Sequence, residues 1–131
     1  MRHQRIAKKF GRKPAHRKAL LCSLVTNLVL QGSIKTTTGK AKQARKDAEK
    51  IVTLARKGTL AARRLAASRL QSPDALQRLF DVVVPSMEGR KGGYTRILKL
   101  GQRRSDGSEM CLLQWVELPV AAVPAPVAET K

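Results

Sequence analysis

The run YTRILKLGQRRSDGSEMCLLQWVEL, residues 94–118, carries most of the strand signal in this chain. Its two ends, YTRILKL at 94–100 and MCLLQWVEL at 110–118, read as strands, and the Gly, Asp and Ser between them supply the chemistry of a hairpin loop. A third short strand is read further upstream in SIKTTT at 33–38, where β-branched residues cluster. From Arg90 to Arg104 there are six basic residues and no acid. So much uncompensated charge around a half-apolar strand calls for an anionic partner.

Between and before the strands the apolar residues repeat at helical spacing. Pro14 suits the first turn of a helix that carries Leu20, Leu21, Leu24, Val25 and Leu28, stops at Gly32 and is expected to be mostly buried. A second helix is expected from about Lys40 to Lys57, with Ala41, Ala44, Ala48, Ile51, Val52 and Ala55 on one face and Gly58 at its end. Its opposite face carries Lys42, Arg45, Lys46, Lys50 and Arg56, which as a group reads as phosphate contact because matching acids are nearly absent. Thr59 is placed to cap a third, Ala-rich helix containing Leu60, Leu65, Ala66 and Leu70. Ser72 and Pro73 open a fourth, with Leu76, Leu79, Phe80 and Val83 on one side and Pro85 as its end.

At 131 residues the chain fits one domain with a modest core. Its 27 Lys and Arg stand against nine Asp and Glu, a formal charge of +18, which repels itself in the folded state unless a polyanion neutralises it. The distribution is as lopsided as the total: residues 1–46 hold 13 basic residues, and the first acid is Asp47. Three regions follow: a basic N-terminal arm at 1–14, a single domain at 15–118, and an Ala/Val/Pro tail at 119–131 that reads as disordered.

Several function classes lack residues to support them. ALLCSLVTNLVLQ, from Ala19, is too short and too polar to span a bilayer, and no signal-peptide pattern precedes it. Cys22 and Cys111 are far apart and read as small hydrophobes rather than as a disulfide, while His3 and His16 share no metal-ligand spacing with them. Neither metal nor cofactor is expected. Both histidines sit in the basic arm without a carboxylate to orient them, and GRKGG lacks the ending of a phosphate-binding loop and leads into a strand, so no enzyme and no small-molecule substrate are expected.

Nucleic acid fits more of the residues. No helix-turn-helix, zinc finger or basic zipper is present, and Tyr94, Trp115, Phe10 and Phe80 are too few for a base-stacking strand surface. Recognition of folded RNA by shape and phosphate contact remains. Gly92 and Gly93 let a backbone approach a phosphate closely or simply make the turn into the strand, and Tyr94 reads either as a stacking group or as a core residue.

The run IKTTTGKAKQARKDAEKIVTLAR, Ile34 to Arg56, resembles the signature of the bacterial large-subunit ribosomal protein L-seventeen family. The opening MRH, the His16-Arg17 pair, Arg63 and Arg64, RLF at 78–80 and GGYTRILKLGQR from Gly92 follow the same family order. The resemblance implies an α+β fold, with about four helices packed in two layers on a small three-stranded sheet. It also implies a non-enzymatic structural and assembly component of the ribosome, cytoplasmic, in the large subunit. Its partners would be large-subunit ribosomal RNA and neighbouring large-subunit proteins, with no membrane and no homo-oligomer.

The RNA-binding residues expected are Arg2, His3, Arg5, Lys8, Lys9, Arg12, Lys13, His16, Arg17 and Lys18 in and after the arm. Lys35, Lys40, Lys42 and Arg45 join them at the second helix, with Arg63 and Arg64 on the third, and Arg90, Lys91, Gly92, Gly93, Tyr94 and Arg96 at the glycine-led strand. Cys22 and Ser23 stand where the family usually has Arg-Asn, and the 105–109 loop departs from the family's proline-containing stretch. The other reading is a free-standing protein that coats nucleic acid or chaperones RNA without a fixed site; it shares the charge but not the ordered motifs.

Overall fold

The structure is a computed structural model that describes residues 8–117. The expectations for Arg2, His3, Arg5 and the 119–131 tail lie outside the described residues. The fold is α+β. Helix α1 spans Pro14–Gln31, strand β1 Ser33–Thr37, α2 Thr38–Ala55 and α3 Leu60–Leu70. A continuous helical run follows, α4 at Pro73–Arg78, a π-helical turn at Leu79–Val83 and α5 at Val84–Ser86, before β2 at Thr95–Gln102 and β3 at Glu109–Trp115.

The three strands form an antiparallel sheet in the order β1-β3-β2. Cys111, Leu113 and Trp115 of β3 alternate inward and are buried, with Thr36 beside them on β1 and Thr95 on β2. Helix α2 lies against this inner face of all three strands; α1, α3 and the π-helical turn pack on α2, and α4 packs on α1 and α3. The buried stripe of α2 is largely alanine, Ala41, Ala44, Ala48 and Ala55 with Ile51 and Val52, so the helix can approach the sheet closely. The Trp115 indole N–H donates to the Leu28 carbonyl at 3.0 Å in the buried interior, tying β3 to α1 across the core.

Local chemistry sets most boundaries. Thr59 and Ser72 accept from the backbone N–H of Ala62 and Ala75, capping α3 and α4. Gly32 ends α1 at φ 81° and returns its N–H to the Leu28 carbonyl. Pro85 does not end the fourth helix. The π turn carries the Val84 N–H back to the Leu79 carbonyl, and the run continues past the proline to Ser86. Helix α1 is buried only in its second half, at Val25, Leu28 and Val29; most of its first turns are exposed. Helix α2 also starts two residues earlier than expected, directly after β1.

Candidate nucleic-acid interface

The described end of the arm folds back on α2. A Cβ placed on Gly39 would lie 3.3 Å from Lys8 Nζ and 3.9 Å from the Phe10 ring, so the missing side chain leaves room for both. A groove of about 670 Å³ opens there between the first half of α2 and β2, lined by Lys8, Lys42, Arg45, Lys46, Glu49 and Lys99 among others. Glu49 is its single carboxylate, and it is committed within the fold: it accepts from Arg45 at 3.2 Å and from the Thr95 hydroxyl at 2.9 Å. Among the described residues no ion pair engages Lys8, Lys42, Lys46 or Lys99. Helix α2 also starts with neither a side-chain cap nor an acid in its first turn, so the positive end of its dipole faces outward beside these lysines.

The N-terminus of α1 has the same electrostatic character. Lys13, His16, Arg17 and Lys18 crowd a helix start without any acid in the first turn. Cations at the positive end of a helix dipole raise the free energy of the isolated fold, and an anion relieves it.

The glycine-led segment lies at the other end of α2. Eighteen residues of helix place the two ends roughly 27 Å apart, so the expected site is divided between them. Gly92 and Gly93 are exposed, with open space where a side chain would stand, and Gly93 has φ +62°. Arg56, read from the sequence as a phosphate contact, is used within the fold: it donates to the carbonyls of Glu88 and Arg90 and to the Tyr94 hydroxyl. Tyr94 is therefore a core residue, 2% exposed, and its buried ring offers no face to a base. Arg90 is paired with Glu117 at 2.8 Å.

The other basic residues are dispersed. Arg64 is exposed on α3, while the Arg63 guanidinium lies 5.0 Å from the centre of the Phe80 ring. Lys35 and Arg96 are on the outer face of the sheet, away from α2. In the hairpin loop Arg103 grips Asp106 through two hydrogen bonds; these, with help from Ser108, hold its carboxyl well below the usual range. Cys22 and Cys111 are both free thiols. Cys22 and Thr26 donate to the carbonyls of Arg69 and Leu70 at the open end of α3, so both side chains are engaged within the fold.

Sequence reasoning read Lys46 only as one of a basic group on α2 and Lys99 only as charge beside the glycine-led strand, and joined neither to the expected set of RNA-binding residues. Lys99 meets the α2 lysines only because its strand packs beside that helix, and its signal was limited to charge in a strand. No described helix is long and apolar enough to cross a membrane, and no three His, Cys, Asp or Glu among the described residues gather as metal ligands.

Comparison with known proteins covers nearly all of the described fold. The family model for Ribosomal protein L17 matches residues 20–116. The chain is 48% identical over 131 residues to Large ribosomal subunit protein bL17 of Methylacidiphilum infernorum, covering 98% of this chain and 100% of that one. Proteins of the same name from Finegoldia magna and Myxococcus xanthus are 49% and 45% identical, over 84% and 100% of this chain and 84% and 99% of theirs. The family model spans most of the described residues and these relatives match over most of their own length, so the chain belongs to the ribosomal protein L17 family.

Proposed function

We propose that this protein is a structural constituent of the large ribosomal subunit, where it binds ribosomal RNA through phosphate and shape contacts and supports subunit assembly. The observation that carries the reading is the groove between α2 and β2, whose lysines have no carboxylate partner among the described residues, in a chain matched to this family over residues 20–116. A polyanion supplies the missing counter-charge, and each lysine that meets a phosphate releases condensed ions from the RNA. Its contribution is architectural, with no chemical step and no cofactor. In bacteria that places it in the cytoplasm, in the ribosome, as a single copy beside protein neighbours.

The RNA-facing set we propose is the arm and α1 start (Arg2, His3, Arg5, Lys8, Lys9, Arg12, Lys13, His16, Arg17, Lys18), the groove and α2 start (Lys40, Lys42, Arg45, Lys46, Lys99), Arg63 and Arg64, and Arg90 to Gly93. The arm at 1–14 and the domain that follows it act together, because Lys8 already lies at the groove. A free-standing coat protein would need no such ordered family match.

Sedimentation of a lysate carrying a tagged copy, with and without residues 1–13, tests the reading. The intact protein is expected with the large subunit after a high-salt wash, and the truncated one nearer the top of the gradient. An intact protein that stays at the top, or spreads over all nucleic acid, overturns it.

A further inference from the structure

We propose that the uncovered face of the sheet docks a protein segment that presents aliphatic side chains beside Asp or Glu, and that RNA does not occupy it. All the helices that meet the sheet do so on its inner face, where Cys111, Leu113 and Trp115 are buried. The opposite face is built by the alternate residues. Across the strands Lys35 stands beside Leu112 and Leu112 beside Leu98, and in the next row Arg96 stands beside Gln114. Leu98 is 44% exposed and Leu100, at the bulge before Gly101, is 50% exposed. Met110 and Leu112 are only partly covered.

The chemistry of this face differs from that of the groove. Its centre is aliphatic, and its outward positions include no aromatic residue on which a base could stack, because Tyr94 and Trp115 are turned into the core. Phosphates set against leucine would lose water without gaining a partner. Two cations, Lys35 and Arg96, border the apolar centre, and no carboxylate lies among the outward positions. With the Gln114 amide turned so that its oxygen faces Arg96, that oxygen takes two hydrogen bonds from the guanidinium and holds it at the rim. An aliphatic patch with a positive border is complementary to aliphatic residues flanked by carboxylates.

A second copy of this chain does not fit. Face-to-face pairing would bring Lys35 and Arg96 toward their own kind, and strands of five to eight residues cover only about 300 Å². A self-standing interface needs about 800 Å² per partner. The segment is therefore held as one contact among several in a larger assembly, and the inference rests on the proposed place of the protein in the large subunit.

The test uses the full chain in the particle, with a photo-crosslinking phenylalanine analogue at position 98 in one variant and at position 100 in another. Sedimentation beside the unlabelled chain comes first. Both variants are expected in the large subunit, each crosslinked to one stretch of another protein that contains Asp or Glu, with the yield falling about tenfold when Lys35→Glu and Arg96→Glu are combined. Crosslinks to RNA, to a second copy, or to residues 118–131 of the same chain overturn the proposal, as does an incorporated protein with no crosslink. If the unlabelled chain also fails to enter the subunit, the ribosomal reading falls and the docking proposal falls with it; if only the labelled chains fail, the Lys35→Glu, Arg96→Glu chain is scored instead by protein footprinting of Leu98 and Leu112 in the particle. Protection in the wild type that is lost in this variant supports docking, and equal exposure in both overturns it.

Discussion

Arg56 donates a hydrogen bond of 2.8 Å to the hydroxyl of Tyr94, 38 positions along the chain, with its guanidinium carbon 5.9 Å from the centre of the same ring. Further bonds from Arg56 to the carbonyls of Glu88 and Arg90 fasten the end of α2 to the segment that holds Gly92 and Gly93. The arginine thereby fixes the conformation of a loop that it does not belong to. Arg56→Ala is expected to cost about 1–3 kcal/mol, and Arg56→Lys to recover little because one ammonium nitrogen cannot stand at both positions from which the two guanidinium nitrogens donate. Amide hydrogen exchange at 89–94 should rise selectively in both variants. Uniform acceleration across the sheet would instead make Arg56 a general stability residue.

Gly93 tests the same loop from its backbone. At φ +62°, with open space where a side chain would stand, the cost of Gly93→Ala is conformational alone, about 1–2 kcal/mol, with no clash to relieve. Urea unfolding measures it, and an unchanged midpoint would mean that the loop relaxes to negative φ without loss.

The alanine seam of α2 sets how near the helix lies to the sheet. Ala48 is fully buried, so Ala48→Leu forces three extra carbons into a filled space and should destabilise the fold by about 1–3 kcal/mol. Ala→Leu at exposed Ala61 supplies the control, since the same change there meets solvent. Equal unfolding midpoints for the two variants would contradict the close packing.

The two thiols should differ in reactivity. Burial pushes the Cys111 thiol above its ordinary range and leaves no path for a reagent, whereas Cys22 is partly exposed. A disulfide reagent at neutral pH is expected to modify Cys22 in the folded protein and Cys111 only on unfolding. Modification of both at one rate would show that β3 opens far more often than its place in the core allows.

What could be read in the sequence follows from the range of each signal. The α2 stripe, the Thr59 and Ser72 caps and the three strands are local patterns, and a period of two or 3.6 residues is enough to place them. Pro85 misled because a proline is a stop only where the helix needs its N–H; the π turn before it rearranges the bonding in the last turns, and composition carries no sign of that. Arg56 sits on the solvated face by periodicity, yet its three acceptors come from a segment more than thirty residues away. The groove was half legible. Lys42 and Arg45 announce themselves on an acid-poor helix, but Lys99 joins them only through the packing of β2 beside α2.

That packing gives a quantitative expectation for RNA binding. If Lys42, Lys46 and Lys99 each meet a phosphate in the groove, replacing all three with glutamine removes about three released counterions. The slope of log affinity against log salt should then become shallower by about 2–3, from a starting value of roughly −7 to −9 for on the order of ten phosphate contacts. Replacing three exposed lysines or arginines outside the groove and arm, for example Lys57, Arg69 and Arg104, provides a charge-matched comparison. The groove triple should change the slope more than this control, because counterion release counts contacts made and not net charge alone. Equal slopes in the two triples would mean that the chain attracts RNA by its overall field, and the groove would lose its place in the interface.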